Sequence, residues 1–213
     1  MKDMSHILDQ IDLPVGLRMA VSPPLDPCHL FAEEAAAMTR AVPSRQMEFA
    51  GGRVAARRAL GCDVALPVTQ DRTPLWPEGR TGSISHCEDI CLAVAGDTAK
   101  IAAVGIDIEP NRPLPTDLAD EILSDEDLDD PALATHVFSA KEAVFKAHFM
   151  CARRMYGFQA LSASLDQGIA RFLDVDEIRD LPSALKTDLQ FRQWSDAAHI
   201  VSLCVIWQRE SDI

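Results

Sequence analysis

The chain has 213 residues and a formal net charge of −13, from 20 Lys and Arg against 33 Asp and Glu. Hydrophobic residues at 47% exclude a disordered acidic tail, which lacks the apolar side chains for a core, and the acidic balance excludes a general nucleic-acid binder, which needs a basic surface. The acid is uneven: residues 1–100 carry 10 basic and 13 acidic side chains and residues 101–213 carry 10 and 20, which points to two halves with different electrostatic roles.

Residues 1–28 are rich in proline and read as irregular. Charges at Lys2, Asp3, Asp9 and Asp12 replace the apolar run of a secretory leader. No stretch approaches the roughly 18–20 apolar residues of a membrane span. Residues 30–38 predict a short Ala-rich helix, and 44–60 predict a second one that stops at Gly61, a C′ glycine. Gly51 and Gly52 inside that helix each cost about 1 kcal/mol relative to alanine, so close approach of another backbone or of a ligand is expected there. Prolines and glycines make 67–82 a loop. Residues 83–86 and 90–95 then predict a hairpin around Glu88-Asp89.

The next strand is expected over 101–109. Residues 110–131 form a Pro-rich, acidic connection with room for a short helix, and 139–153 predict a helix. Strand-like runs follow at 169–173, 189–194 and 199–207. Helices and a small sheet in each half predict an α+β fold of two subdomains, 1–100 and 101–213. The six cysteines are scattered without a C-x-x-C pair and read as reduced thiols of a cytoplasmic protein.

Four segments carry chemistry. In Gly105-Ile106-Asp107-Ile108-Glu109, strand alternation puts the isoleucines on one face and the carboxylates on the other, about 7 Å apart. They form either a solvated strand face or part of a site for a hard divalent cation such as Mg²⁺. Phe138-Ser139-Ala140-Lys141-Glu142, continuing to Lys146, also reads two ways. Structurally, Ser139 and Glu142 form a capping box, Glu142 and Lys146 an i, i+4 ion pair, and Lys141 lies on the surface. Functionally, Glu142 is a third oxygen ligand, and Lys141 and Lys146 are phosphate-binding cations near a helix N-terminus. The third segment, PLWPEGRTGSISHC (74–87), ends a polar strand with Ser85 and His86. In the fourth, Arg45, Phe49, Arg53 and Arg57 recur at four-residue spacing, with Arg58 beside them. This is either a solvated basic face, paired with the acidic segment 117–130, or a clamp for a multiply phosphorylated ligand.

In this order the segments resemble the 4′-phosphopantetheinyl transferases, in particular the large monomeric kind that serves siderophore and other nonribosomal peptide synthetases. The resemblance spans residues 45 to 147. It implies two similar α/β subdomains related by pseudo-twofold symmetry, with coenzyme A between them. It implies transfer of 4′-phosphopantetheine from coenzyme A to a serine of an apo carrier protein, with 3′,5′-ADP leaving. Asp107, Glu109 and Glu142 match the family's Mg²⁺ ligands, and Lys141 and Lys146 its lysines beside the metal, Lys146 touching the pyrophosphate. Ser85 and His86 match a phosphate-contacting pair, and Arg45 and Arg53 hold the 3′-phosphate end; Arg58 is counted with that clamp. The family's candidate base is a glutamate that falls here at Asp127, one methylene shorter, so Asp127, the adjacent Glu126 or a metal-bound water is the expected base. The basic residue that the family often has before the Trp-Pro segment has no direct match in this sequence, and Arg72 is the expected substitute. The competing functions are another Mg²⁺-dependent phosphodiester enzyme and a non-enzymatic acidic interaction module.

Overall fold

The structure, a computed structural model, describes residues 5–127, 130–173 and 176–208. A three-stranded antiparallel sheet has the order β1-β3-β2, from β1 (Leu17–Ser22), β2 (Arg80–Cys87) and β3 (Ile90–Asp97). A five-stranded antiparallel sheet has the order β4-β8-β7-β6-β5. Its strands are β4 (Ile101–Pro110), β5 (Leu161–Ser164), β6 (Ile169–Phe172), β7 (Leu189–Ser195) and β8 (His199–Trp207). Helix α1 (Ser5–Gln10) precedes β1, and α2 (Ala32–Ala35) and α3 (Pro43–Leu60) separate β1 from β2. Helices α4 (Thr116–Ile122) and α5 (Ala134–Ala152) lie between β4 and β5.

Strand alternation builds the layers. Leu92 and Val94 of β3 turn inward onto Ile106 and Ile108 of β4 and Val201 and Leu203 of β8, forming a core between the two sheets. The alternate residues of β3, Ala93 and Ala95, face outward and are covered by Ala55, Ala56 and Ala59 of α3. On the far side, Val137, Val144 and Ala147 of α5 cover Cys204 and Phe191. A long helix therefore packs on the outer face of a sheet in each half.

Two glycine positions set how close the helices lie. A Cβ on Gly51 would fall 2.4 Å from the Pro23 carbonyl oxygen and one on Gly52 would fall 2.9 Å from Ile84, which is the close approach that the glycine pair predicts. On β4, a Cβ on Gly105 would fall 1.9 Å from the Ala143 carbonyl oxygen, so α5 rests directly on the strand backbone. Gly105 shares its strand face with Asp107 and Glu109.

The two sheets meet where β2 runs beside β4. Each is the end strand of its sheet. Side chains replace a backbone ladder there: the Ile106 N–H donates to Ser83 Oγ at 3.1 Å and the Ile108 N–H to Ser85 Oγ at 3.3 Å. The alternating serines of Ser83-Ile84-Ser85 thus satisfy donors of β4 that would otherwise be buried and unpaired.

Several expectations need correction. Residues 1–28 are not irregular throughout: α1 and β1 lie in them, and β1 pairs with β3 along its length. The alternation of Leu17, Met19 and Val21 onto the core was the available signal. The helix expected over 30–38 is α-helical only across Ala32–Ala35 and continues as a 3₁₀ turn, Ala36–Met38. Strand β2 starts at Arg80, inside the expected loop, and β5 was missed because its four residues carry little periodicity. Helix α5 begins at Ala134, not 139. Ser139 is therefore no N-cap. It is fully buried and shares a 2.9 Å hydrogen bond with Ser202 of β8. Lys141 and Lys146 likewise lie well inside the helix and not at its N-terminus.

Candidate functional site

A cleft of about 340 Å³ opens at the β2–β4 seam. Strand β4 brings Asp107 and Glu109 to it, β2 brings Ser85 and His86, α5 brings Glu142 and Lys146, and α3 brings Arg45, Glu48, Gly52 and Arg53. Arg72 lines it from the loop before β2, with φ +66, a left-handed conformation rarely adopted by a residue with a Cβ.

Lys146 is the centre of this arrangement. Its ammonium donates to Asp107 Oδ1 at 2.7 Å, to Ser85 Oγ at 3.2 Å and to the Ile106 carbonyl at 3.2 Å, and lies 3.8 Å from Glu142 Oε2. Burial works against its charge, but Asp107 and Glu142 more than offset that and hold its pKa above the ordinary lysine value. Ser85 Oγ donates to Asp107 Oδ1 at 2.9 Å while accepting from Lys146 and the Ile108 N–H, so its hydroxyl is fully engaged. Asp107 is 2% exposed, and its Oδ2 is buried without a hydrogen-bond partner. Burial, with repulsion from Asp107 added, pushes Glu109 up to about 7; burial also raises Glu142, against the pull of Lys146.

Basic groups form the opposite wall. Arg45 contacts both His86 Nε2 and Glu48, the latter at 3.3 Å, and His86 Nδ1 lies 3.7 Å from the same Glu48 carboxylate. Burial lowers the His86 pKa, Glu48 opposing this and Arg45 and Lys146 assisting it. Arg53 is 4% exposed, donates to the Leu66 carbonyl at 2.7 Å and stacks 4.0 Å over the Phe49 ring. Burial lowers its pKa only to about 10, so it stays charged. Glu48 was not anticipated as a site residue. The signal was its position three residues after Arg45, as the one acid among the arginines of 40–58.

The residues named from the sequence do not all gather here. Arg45, Arg53, Ser85, His86, Asp107, Glu109, Glu142 and Lys146 line the cleft. Arg58 does not: it reaches from α3 to the Val21 carbonyl at 2.9 Å. Arg57 also leaves the stripe, pairing with buried Glu34 at 2.8 Å and with Asp63 at 3.4 Å, so these arginines find their acids within their own half and not in 117–130. Lys141 is fully buried on another side of α5, 2.6 Å from Asp127, which is equally buried. Five residues along a helix turn about 140°, against about 40° for the four from Glu142 to Lys146, so Lys141 and Lys146 cannot share one ligand face. Glu126 is exposed and does not line the cleft.

The donor set suits a hard cation: three carboxylates face one cleft, and one buried carboxylate oxygen has no partner. As the side chains stand, no group of three or more His, Cys, Asp or Glu among the described residues is gathered closely enough to hold a metal. Lys146 lies between Asp107 and Glu142.

Two family models match the chain: the 4′-phosphopantetheinyl transferase N-terminal domain over residues 33–96, and the 4′-phosphopantetheinyl transferase superfamily over 103–204. The 4′-phosphopantetheinyl transferase Svp of Streptomyces mobaraensis is 39% identical over 165 residues, 70% of this chain and 67% of its own. This chain belongs to the 4′-phosphopantetheinyl transferase superfamily. Other similar transferases are PptT of Mycobacterium tuberculosis, 39% identical over 60% of this chain and 61% of its own, and enterobactin synthase component D of Salmonella typhi, 38% identical over 48% of each. The matches thus span about half to two thirds of these transferases' own lengths. The junction between the two matched regions, 96 to 103, coincides with the turn from β3 into β4, where the chain passes from one sheet to the other.

Proposed function

We propose that this transferase moves 4′-phosphopantetheine from coenzyme A to a serine of an apo carrier protein or carrier domain, releasing 3′,5′-ADP. The observation that carries the reading is the cleft itself, with Arg45, Arg53, Arg72, His86 and Lys146 facing Asp107, Glu109 and Glu142. Coenzyme A has a pyrophosphate and a 3′-phosphate, and such a ligand needs several fixed cations. Arg45 and Arg53 would hold the 3′-phosphate end, and Lys146 and His86 the pyrophosphate. Beside the cleft, sharing Glu142 with it, an apolar hollow of about 200 Å³ is lined by Phe145, Met155, Tyr156, Phe158 and Leu161. It suits the largely uncharged pantetheine chain.

The carrier serine oxygen bonds to the β-phosphorus of coenzyme A, and the bond from that phosphorus to the oxygen bridging it to the α-phosphate breaks. The serine proton passes to solvent water, and the 3′,5′-ADP oxygen takes the bonding pair. Asp107, Glu109 and Glu142 would hold Mg²⁺. The chemistry that ion supplies is neutralisation of pyrophosphate charge. Ser85 holds Asp107 in orientation, and Lys146 is aimed where charge grows on the leaving group. Asp127, tied to Lys141 and away from the cleft, is not placed to take the serine proton. A siderophore or secondary-metabolite synthetase is the proposed carrier source, in line with the enterobactin synthase relatives.

The subdomain division 1–100 and 101–213 is supported by the three-stranded sheet falling wholly in the first part and the five-stranded sheet in the second. Because one chain supplies both walls of the cleft, a monomer is the proposed active form. Six free thiols support a cytoplasmic location, and no described helix is long and apolar enough to cross a membrane. The test is incubation with Mg²⁺, fluorophore-labelled coenzyme A and a panel of apo carriers. Label on at least one carrier serine is expected; no label on any carrier, with no coenzyme A binding by calorimetry, overturns the proposal.

A further inference from the structure

Lys141 and Asp127 form a buried pair outside the cleft. Both side chains are 0% exposed. The Lys141 ammonium donates to Asp127 Oδ2 at 2.6 Å, to the Ile122 carbonyl at 2.8 Å and to the Phe158 carbonyl at 3.1 Å, which uses its three protons. Asp127 Oδ2 also accepts from the Ser124 N–H at 2.7 Å and the Ser124 hydroxyl at 2.8 Å, and its Oδ1 accepts from the Ala163 N–H at 2.7 Å. Both side chains are buried and neither lines the phosphate cleft, so neither faces a phosphate or the carrier serine.

What the pair joins is informative. Ile122 ends α4, Ser124 opens the turn after it, Phe158 lies in the link from α5 to β5, and Ala163 belongs to β5. Through one ammonium and one carboxylate all four are tied to α5 at the residue next to Glu142. Phe158, Leu161, Glu142 and Lys141 itself all line the apolar hollow.

The geometry points to Lys141 and Asp127 as a positioning pair that fixes the wall of this hollow, and with it the seat of the pantetheine chain, relative to the phosphate cleft. The inference rests on the coenzyme A reading of the cleft. It assigns neither residue to proton transfer or phosphate binding. Breaking the pair by removing one partner leaves a charge buried alone, whereas replacing both with apolar side chains of similar size is often tolerated.

The test compares wild type, Ser124→Ala, Asp127→Asn and the double variant Lys141→Met/Asp127→Leu in the full chain. Calorimetry reads the affinities for coenzyme A and for 3′,5′-ADP, which lacks the pantetheine chain, and transfer assays read kcat and KM. In the double variant the coenzyme A affinity falls about tenfold and KM rises with it, 3′,5′-ADP affinity stays within about twofold and kcat within about threefold. Ser124→Ala, which strips one hydrogen bond and buries no lone charge, shows the same split at about threefold, and carries the test if the other variants fail to fold. A folded double variant with kcat down by about 10²–10⁴ would make one of the two a catalytic group and overturn the assignment. So would equal losses for both ligands, or no loss for either, in Ser124→Ala. Wild type that binds neither ligand would instead overturn the reading of the cleft.

Discussion

The Lys146 ammonium lies 2.7 Å from Asp107 Oδ1, joining the middle of α5 to the middle of β4 at the floor of the cleft. The Ser85 hydroxyl donates to the same carboxylate oxygen from β2. Three elements therefore converge on one oxygen, and two of them belong to different sheets. Removing Lys146 leaves Asp107, Glu109 and Glu142 facing one another without the cation between them. Lys146→Ala is expected to lower kcat for phosphopantetheine transfer by at least about 10²-fold, and to raise the pKa values of Glu109 and Glu142 further, read by NMR titration of the carboxyl carbons.

Asp107→Ala is expected to abolish transfer while the protein stays folded, because the residue takes part in the site more than in the core. Near-UV circular dichroism checks the fold and the label-transfer assay the activity. Full activity in this variant would remove Asp107 from the site.

Ser85→Ala removes the acceptor of the Ile108 N–H and the hydroxyl donor to Asp107, both buried. The expected cost is about 1–3 kcal/mol, the range for stranding a buried polar group. At about 2–4 °C per kcal/mol for a chain of this size, a thermal melt resolves it.

Gly105→Ala places a methyl where the Ala143 carbonyl oxygen already lies, 1.9 Å away, with the Ala147 nitrogen at 2.6 Å. Both obstacles are backbone and cannot turn aside. Helix α5 must lift from β4, carrying Lys146 and Glu142 away from Asp107. Loss of activity together with a melting temperature lowered by several degrees is expected, whereas Gly79→Ala, whose Cβ would meet nothing within 4 Å but which sits at φ +73, should cost only the strain of that conformation, about 1 kcal/mol.

Glu109 carries the pH dependence. Its folded pKa of about 7 lies above the ordinary value of 4.5, so its protonated form is favoured by the fold. The stability it contributes is full below pH 4.5 and is lost as pH rises through about 7. In chelator, Glu109→Gln should therefore melt higher than wild type at pH 8 and show a flatter melting-temperature profile between pH 5 and 8 (roughly the span of the titration). An unchanged slope would show that the Glu109 carboxyl is not held in this environment.

Arg53 and Arg58 separate the cleft from its surroundings. Arg53→Ala should weaken coenzyme A binding by at least about tenfold, the loss expected for a buried cation facing phosphate, and Arg58→Ala by less than about twofold. Isothermal titration of both variants checks the pair.

Much of this was legible because local rules are strong where the period is clear. Ile106 and Ile108 against Asp107 and Glu109 is a strict alternation, and it survives in the structure with the isoleucines buried and the carboxylates at the cleft. The glycine pair in α3 announced a close backbone contact, and Pro23 supplies it. The start of α5 was misplaced because Ser139-x-x-Glu142 imitates a capping box, yet the helix extends to Ala134 through Val137 and Ala140, which are fully buried. Burial of that apolar face outweighs a local capping preference.

The sequence by itself determined the family, the order of its four motifs, and which residue types were available for phosphate and cation. Helix periodicity even separates Lys141 from Lys146. Only the tertiary structure decided which of the two faces the cleft. That choice depends on where α5 rests, and it rests on Gly105 of β4, a contact between positions 105 and 143 that no local pattern encodes. The same long-range packing turned Asp127 from a candidate base into the buried partner of Lys141, because a carboxylate's role follows from what surrounds it and not from its distance along the chain.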